Sequence, residues 1–345
     1  METRARFHVY NEGMKPAVYT TSCHDIHSNL AAEAFLMERS GADEYILYLW
    51  QNRPTVVIGR YQNPFMECDL ARMESDGVKL SRRFSGGGAV YHDMGNLCFT
   101  FISPKESYDK DRNFRIVISA LGVLGVEACT SGRNDILAGG FKVSGNAFQI
   151  KGGKACHHGT LLVDCDMSRL PRYLTPDATK LEAHGVRSVA SRVRNLKEIR
   201  PDITIGALEE QLVRSFSEEC GLICPVVRLD ETTLLSEPFY CETQEKLSSK
   251  EWNLGMTPRF KDLLKGRNSF GGFSFQLDVD HAVITGAEVF SDTLDTAGME
   301  ELQKVLPGLP YDSAAIEAEA GKKSPFVREA LVLLASLVGA DQNSK

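Results

Sequence analysis

The sequence lacks a CxxC pair. Its nine cysteines stand at 23, 68, 98, 129, 156, 165, 220, 224 and 241, an odd number at irregular spacings. That excludes a zinc ribbon and thioredoxin-type chemistry, and points to a reducing compartment. The closest pair, Cys220 and Cys224 in "EECGLICP", reads as small core residues at the end of a helix. A basic surplus is also lacking: 39 Lys and Arg stand against 46 Asp and Glu, a net charge of −7. General nucleic-acid binding needs a basic face and is excluded, although a local basic pocket is not. No apolar run approaches the roughly 20 residues that span a bilayer. The opening "METRARFHVYNEGMKP" has basic residues with no hydrophobic segment behind them, so it does not read as a secretory signal, and its acidic residues disfavour an organelle presequence. The expectation is a cytoplasmic protein. There is no internal repeat, no low-complexity tract, no Walker A loop and no GxGxxG fingerprint.

What remains is the composition of an ordinary globular enzyme, with 43% hydrophobic and 25% charged residues over 345 positions. That length supports a large core and two domains. Apolar spacing predicts a helix over 29–40 capped by Ser28, and another over 113–126. Buried strands are predicted over 45–52 and 55–62, joined by a turn at Arg53-Pro54, and over 96–103. A short helix over 68–77 should stop at Gly77. Strands over 139–150 and 156–165 should form an antiparallel pair through "KGGK", and a helix over 207–221 should end at glycine. The pattern breaks at "SSKEWNLGMTP", near 248–256. Beyond it a hairpin over 273–292, turning at Asp280-His281, and two helical segments, "AGMEELQKVL" and "PFVREALVLLAS", suffice for a small second domain. Strands cluster around glycine turns with helices between them, which implies an α+β fold. The expected domains are 1–247 and 257–345.

"RRFSGGGAVYHDMGN", residues 82–96, holds the first chemical candidates. Glycine runs weaken any element that contains them. Consecutive glycines can turn several N–H groups toward one anion, and Arg82 and Arg83 would add charge and bidentate donors. The competing reading is a glycine-rich turn with solvated arginines. Lys142, in "GGFKVSGNAF", interrupts an alternating strand; in a cleft it could stabilise charge that develops during acyl transfer, or it could face solvent. Asp135, in "SGRND", could orient that lysine, bind a metal, or sit in a turn. His157 and His158 are strand neighbours and point to opposite faces, so they cannot readily share an ion; one should line a pocket and one should be structural. Arg187, Arg192 and Arg194, in "HGVRSVASRVRNL", belong to a loop that orders over a ligand or is merely solvated.

Taken in order, "RRFSGGGAVYHDMGN", "SGRND", "KVSGNA", "HHGTLL", "GVRSVASRVRNL" and "EWN-G-TP-F" resemble the bacterial lipoate–protein ligases through nearly the whole chain. The resemblance implies a catalytic α+β fold shared with biotin–protein ligases, followed by a small C-terminal accessory domain. It implies ATP-dependent activation of lipoate to lipoyl-AMP, with ATP and Mg²⁺, and transfer to a lysine of lipoyl acceptor domains. Those acceptors are 2-oxo-acid dehydrogenase complexes and the glycine cleavage H protein; neither nucleic acid nor membrane is a partner, and the chain would be a monomer. By position, Arg83, Gly88, Ala89, Val90 and Tyr91 would contact ATP or the adenylate. Arg82, Ser85, Gly86 and Gly87 would shape the lipoate side of the loop. Lys142 would touch both the lipoate carboxyl and the α-phosphate, His158 would lie beside the lipoyl chain, and Asp135 near the nucleotide and its Mg²⁺. The loop 180–196 would cover the adenylate, and "VVIG" (56–59) would line an apolar slot. The segment "ILAGGF" carries less charge than this family usually has there.

Three alternatives stand beside this. An octanoyl- or lipoyl-transferase on the same fold would use a cysteine nucleophile, for which Cys129 and Cys156 offer no family pattern. A transferase taking pre-activated lipoyl-nucleotide would share every motif. A non-catalytic lipoate-binding protein would have no use for Lys142.

Overall fold

The computed structural model describes residues 13–62, 64–132, 134–174, 193–254, 262–280 and 283–342. The fold is α+β, and its described residues group into two compact units. One comprises those within 1–55, 92–167 and 190–246; the other, those within 56–91, 168–189 and 247–345.

The first unit is built on an eight-stranded sheet. In chain order its strands are β1 (Lys15–Thr20), β2 (Glu44–Trp50), β6 (Asn96–Pro104), β7 (Ala128–Ser131), β8 (Asp135–Ala138), β9 (Phe141–Lys151), β10 (Lys154–Leu162) and β11 (Val226–Arg228), in the spatial order β11-β1-β2-β6-β10-β9-β8-β7. β1 runs parallel to β2 and β11, and the remaining pairs are antiparallel. β2 and β6 are apolar on both faces because both faces are covered. Tyr45, Leu47, Phe99 and Phe101 pack against Phe114, Val117 and Leu121 of the helix Lys110–Val123 and against Leu208, Leu212 and Phe216 of the helix Ile205–Cys220. On the opposite face, Tyr48 and Thr100 bond to Asn29 and Glu33 of the helix Ile26–Arg39.

Local signals placed most of these elements. The β9–β10 pair turns through Gly152 and Gly153 at φ of 57° and 74°, and Gly221 ends its helix at φ 69°. Asp25 rather than Ser28 caps the helix Ile26–Arg39: its carboxylate accepts from the N–H groups of His27 and Ser28. Ser28 therefore lies inside the first turn.

The second unit holds two three-stranded sheets. One has the order β4-β3-β5, from β3 (Thr55–Ile58), β4 (Lys79–Arg82) and β5 (Val90–His92); the other has the order β12-β13-β14, from β12 (Asp262–Asn268), β13 (Gly271–Asp280) and β14 (Val283–Ser291). The strand expected over 55–62 stops at Ile58, and β3 lies in a different sheet from β2. A Cβ on Gly59 would stand 2.0 Å from the Gly87 carbonyl oxygen, so the chain turns there against another backbone. β13 and β14 pair antiparallel as expected, with their turn residue His281 outside the described residues. Phe273, Phe275, Leu277 and Val289 pack with Met299, Leu302, Leu331 and Leu334 of the helices Thr296–Val305 and Pro325–Gln342. The helix Ser313–Ala320 was not anticipated. The break at "SSKEWNLGMTP" is helical in its first half, through Pro238–Ser248 and Lys250–Leu254, while 255–261 lie outside the described residues. No described helix is long and apolar enough to cross a membrane.

Candidate active site

The second unit holds 82–91 and the first holds Lys142, Asp135 and His158. Arg82 ends β4 and is fully buried. Its Nε donates to the Trp252 carbonyl at 3.0 Å and its Nη2 to that of Asn253 at 2.9 Å. Its Nη1 donates to the carbonyls of Gln62, Arg60 and Gly59 at 2.6, 3.0 and 3.3 Å. Main-chain contacts close the cage: Arg82 N–H donates to Asn253 Oδ1, and the Arg82 carbonyl accepts from Trp252 Nε1. Burial, with the like charge of Arg60 second, draws its pKa down to about 10. Arg82 therefore spends its guanidinium on main-chain carbonyls and holds the start of the loop in place.

Arg83 is also turned inward. Its Nε bonds Ser85 Oγ at 3.1 Å and the Gly86 carbonyl at 3.1 Å, and Nη2 bonds the carbonyls of Gly86 and Gly88 at 2.6 and 2.9 Å. The three glycines serve different ends. Gly86 has no room for a side chain, because a Cβ would stand 2.1 Å from the Thr293 carbonyl oxygen. Gly87 has φ +94°, where L-residues are strained, and its N–H donates to that same oxygen at 2.6 Å. The Gly87 amide is thus committed to the main chain. Gly88 faces open space. Ser85, Gly86, Gly87 and Tyr91 are buried, and Gly88, Ala89 and Val90 form the half-exposed part of the loop.

In the first unit, Lys142 sits on β9 with its main chain held on both sides. It pairs with Leu137 of β8, and it pairs in parallel with Val193, whose neighbour Arg194 donates its N–H to the Lys142 carbonyl at 3.0 Å. The Lys142 ammonium meets Asp135 Oδ1 at 2.7 Å, with both side chains one-third exposed. The contact is an ion pair rather than an aligned hydrogen bond. Asp135 thus orients the lysine. Among the described residues Asp135 belongs to no group of three or more metal-ligating side chains, so its surroundings do not fit a Mg²⁺ site. The Arg194 guanidinium lies 3.5 Å over the Phe141 ring; Arg187 and Arg192 lie outside the described residues.

The tandem histidines separate as strand alternation requires. His157 is fully buried among Phe99, Phe101, Phe114 and Phe148. Its Nε2 donates to Asn146 Oδ1 at 2.9 Å and its Nδ1 accepts from Asn113 Nδ2 at 3.2 Å. Burial holds its pKa well below the usual imidazole value. His158 lies on the other face, with Nδ1 2.9 Å from Glu33 Oε2, whose carboxylate also accepts from Thr100 Oγ1 at 2.7 Å. His157 is structural, and His158 remains the candidate for a ligand. Glu33 went unnoticed in the sequence because it falls within the helix "NLAAEAF"; a charge on that helix's buried face was the signal. Glu33, Cys156 and His158 form a group whose ligand atoms lie within 4.8 Å of one another. A set containing a thiol does not suit Mg²⁺, which demands oxygen.

Three of the buried thiols are poorly placed for acyl transfer. Burial pushes Cys98 and Cys156 well above the ordinary thiol value and raises Cys165 as well, which keeps them protonated and weakly nucleophilic. Cys129 is exposed on β7.

Residues 25–217 match the lipoyl protein ligase A/B catalytic domain, and 257–322 match the bacterial lipoate protein ligase C-terminus. Among solved structures, P. falciparum LipL1 in complex with lipoate is 31% identical with a TM-score of 0.82, covering 92% of this chain and 99% of that one. A bi-partite lipoate protein ligase from Thermoplasma acidophilum, solved in a study of that ligase and its E2 lipoyl domain, is 28% identical with a TM-score of 0.61, over 71% and 98%. A lipoate-protein ligase A bound with ATP is 28% identical with a TM-score of 0.59, over 70% and 98%. With both matches in order along one chain, and with the glycine loop and Lys142 inside the first, this protein belongs to the lipoate–protein ligase family.

Proposed function

We propose that this enzyme activates lipoate with ATP to lipoyl-AMP and transfers the lipoyl group to a lysine of lipoyl acceptor domains. The acceptors are the E2 subunits of 2-oxo-acid dehydrogenases and the glycine cleavage H protein. The observation that carries the reading is Lys142: a half-buried ammonium, on a strand whose main chain is held from both sides, beside a carboxylate that orients it. In the first step a lipoate carboxylate oxygen attacks the α-phosphorus and pyrophosphate departs. In the second the acceptor amine attacks the acyl carbon, AMP departs, and the amine loses a proton. Negative charge gathers on the acyl-phosphate oxygens in both, and a fixed ammonium stabilises it. Gly88, Ala89, Val90 and Tyr91 belong to the nucleotide side, with the Arg83 charge beneath them. Ser85, Gly86 and Gly87, held by Arg82, shape the lipoate side, and His158 lies beside the lipoyl chain. On this reading the functional boundary falls at 248–256, between a catalytic region spanning 1–247 and an accessory region spanning 257–345.

Burial of Cys98 and Cys156 speaks against a thioester on either of them. Lipoate-dependent ATP–pyrophosphate exchange tests the reading directly. The wild-type chain should catalyse it, and Lys142→Ala should lose about 3 kcal/mol or more of barrier lowering, over 100-fold in rate, with folding intact. Transfer from supplied lipoyl-AMP without any exchange would instead identify a transferase. Unimpaired exchange by Lys142→Ala would remove the lysine from the mechanism.

A further inference from the structure

Lys142 and Gly145 are three residues apart on β9, and on an uninterrupted strand such residues point to opposite faces. β9 is interrupted. Its register with β8 runs Asp135↔Gly145, Ile136↔Ser144 and then Leu137↔Lys142, so Val143 is an extra residue. A bulge shifts the alternation by one and brings Lys142 and Gly145 onto a common face. Asp135 lies directly across from Gly145, and cross-strand partners share a face. Three residues separated in sequence thus converge. Val143 is itself buried in the core, which pins the bulge in place.

Glycine in a strand interior weakens it, so there should be a compensating reason. Gly145 is not among the glycines with positive φ, so the backbone does not require it. Nor does another main chain press upon it. A Cβ built there would meet two atoms within 4 Å, Cε and Nζ of Lys142, each at 3.2 Å. The space left by the missing side chain is the berth of the ammonium.

We propose that Gly145 is a positioning residue for Lys142: with the Val143 bulge and Asp135 it fixes where the ammonium rests, and any side chain at 145 displaces it from the acyl-phosphate. This rests on the ligase reading for its activity readout but not for its geometry. Gly145→Ala and Gly145→Val form a graded series, since the backbone accepts either. Acylation of Lys142 by a dilute acetyl N-hydroxysuccinimide ester, followed by peptide mass mapping, reports how firmly the amine is held; exposed Lys151 on the same strand is the internal reference. The Lys142:Lys151 rate ratio should rise several-fold from wild type to Ala to Val, and Asp135→Asn should raise it too. Displacement of about 1 Å costs on the order of 100-fold in rate. Lipoate-dependent exchange should therefore fall in kcat by that order in Gly145→Val and less in Gly145→Ala, with the KM for lipoate and the melting temperature little changed. An unchanged acylation ratio in both variants overturns the proposal, whatever the activity does. Should the wild-type chain show no exchange at all, the ligase reading fails while the acylation ratio still decides the role of Gly145. Should Gly145→Val fail to fold, the Ala variant carries the same comparison.

Discussion

His157 and His158 differ in one respect only, the face of β10 on which they lie, and their chemistry follows from it. His157 is held neutral by its phenylalanine surroundings, with its pKa well below the usual value. The sign of the pH effect follows from linkage. Below about pH 6.5 the unfolded chain binds a proton that the folded chain refuses, so this group's contribution is full above that value and is lost as pH falls. The loss approaches 1.4 kcal/mol per pH unit. Urea midpoints between pH 7 and 5 should therefore fall more steeply for wild type than for His157→Gln, after allowing for any offset at pH 7. Parallel curves would show that the imidazole titrates alike in both states. Of the residues that matter, Lys142 was legible because a lysine breaks an apolar alternation. Arg82 was not: an arginine beside glycines reads as exposed, and the five carbonyls that cage it come from 59–62 and from 252–253. Long-range carbonyl geometry leaves no periodic trace in a sequence.

At the scale of elements, the glycine loop shows why a motif can be right in place and incomplete in reason. The run at 86–88 was legible as a site where backbone must come close to something. For Gly86 and Gly87 that something, in this structure, is the Thr293 main chain. The two demands can be separated. Gly86→Ala should strain the loop against Thr293 and lower the melting temperature. Gly88→Ala meets open space and should leave the melting temperature near that of wild type. A loss of affinity for ATP or a lipoyl-adenylate analogue in Gly88→Ala, measured by titration, then reports on ligand approach and not on packing. Equal binding by Gly88→Ala and wild type would place the ligand away from that glycine. The same limit explains the cap of the helix Ile26–Arg39. "HDIHS" offers two cap residues three apart, and only the path of the chain before the helix decides for Asp25.

At the scale of the whole molecule, a boundary between compact units falls at 246/247, beside the sequence break near 248–256, and the unit beyond it also takes in an earlier stretch of chain. Segment 56–91 groups with 247–345, because Trp252 and Asn253 close the cage around Arg82 and Thr293 receives the Gly87 amide. A composition shift is visible along the chain, whereas these contacts join positions some 170 to 200 residues apart. The consequence is testable by truncation. A chain ending at Ser248 loses Trp252, Asn253 and Thr293 together. It leaves a buried guanidinium with two of its carbonyl partners gone and an unpaired loop amide; each unsatisfied buried group costs about 1–3 kcal/mol, more where charge is involved. The truncated chain should therefore lose lipoate-dependent pyrophosphate exchange, and limited proteolysis should cut it within 56–91 faster than the full chain. The sheet β11-β1-β2-β6-β10-β9-β8-β7 has its own core and should survive the same treatment. Adding residues 249–345 in trans should restore protection of 56–91 and some of the exchange. Protection of 56–91 in the truncated chain without that addition would show that the loop stands without Trp252, Asn253 and Thr293, and the C-terminal region would then act by some means other than holding it.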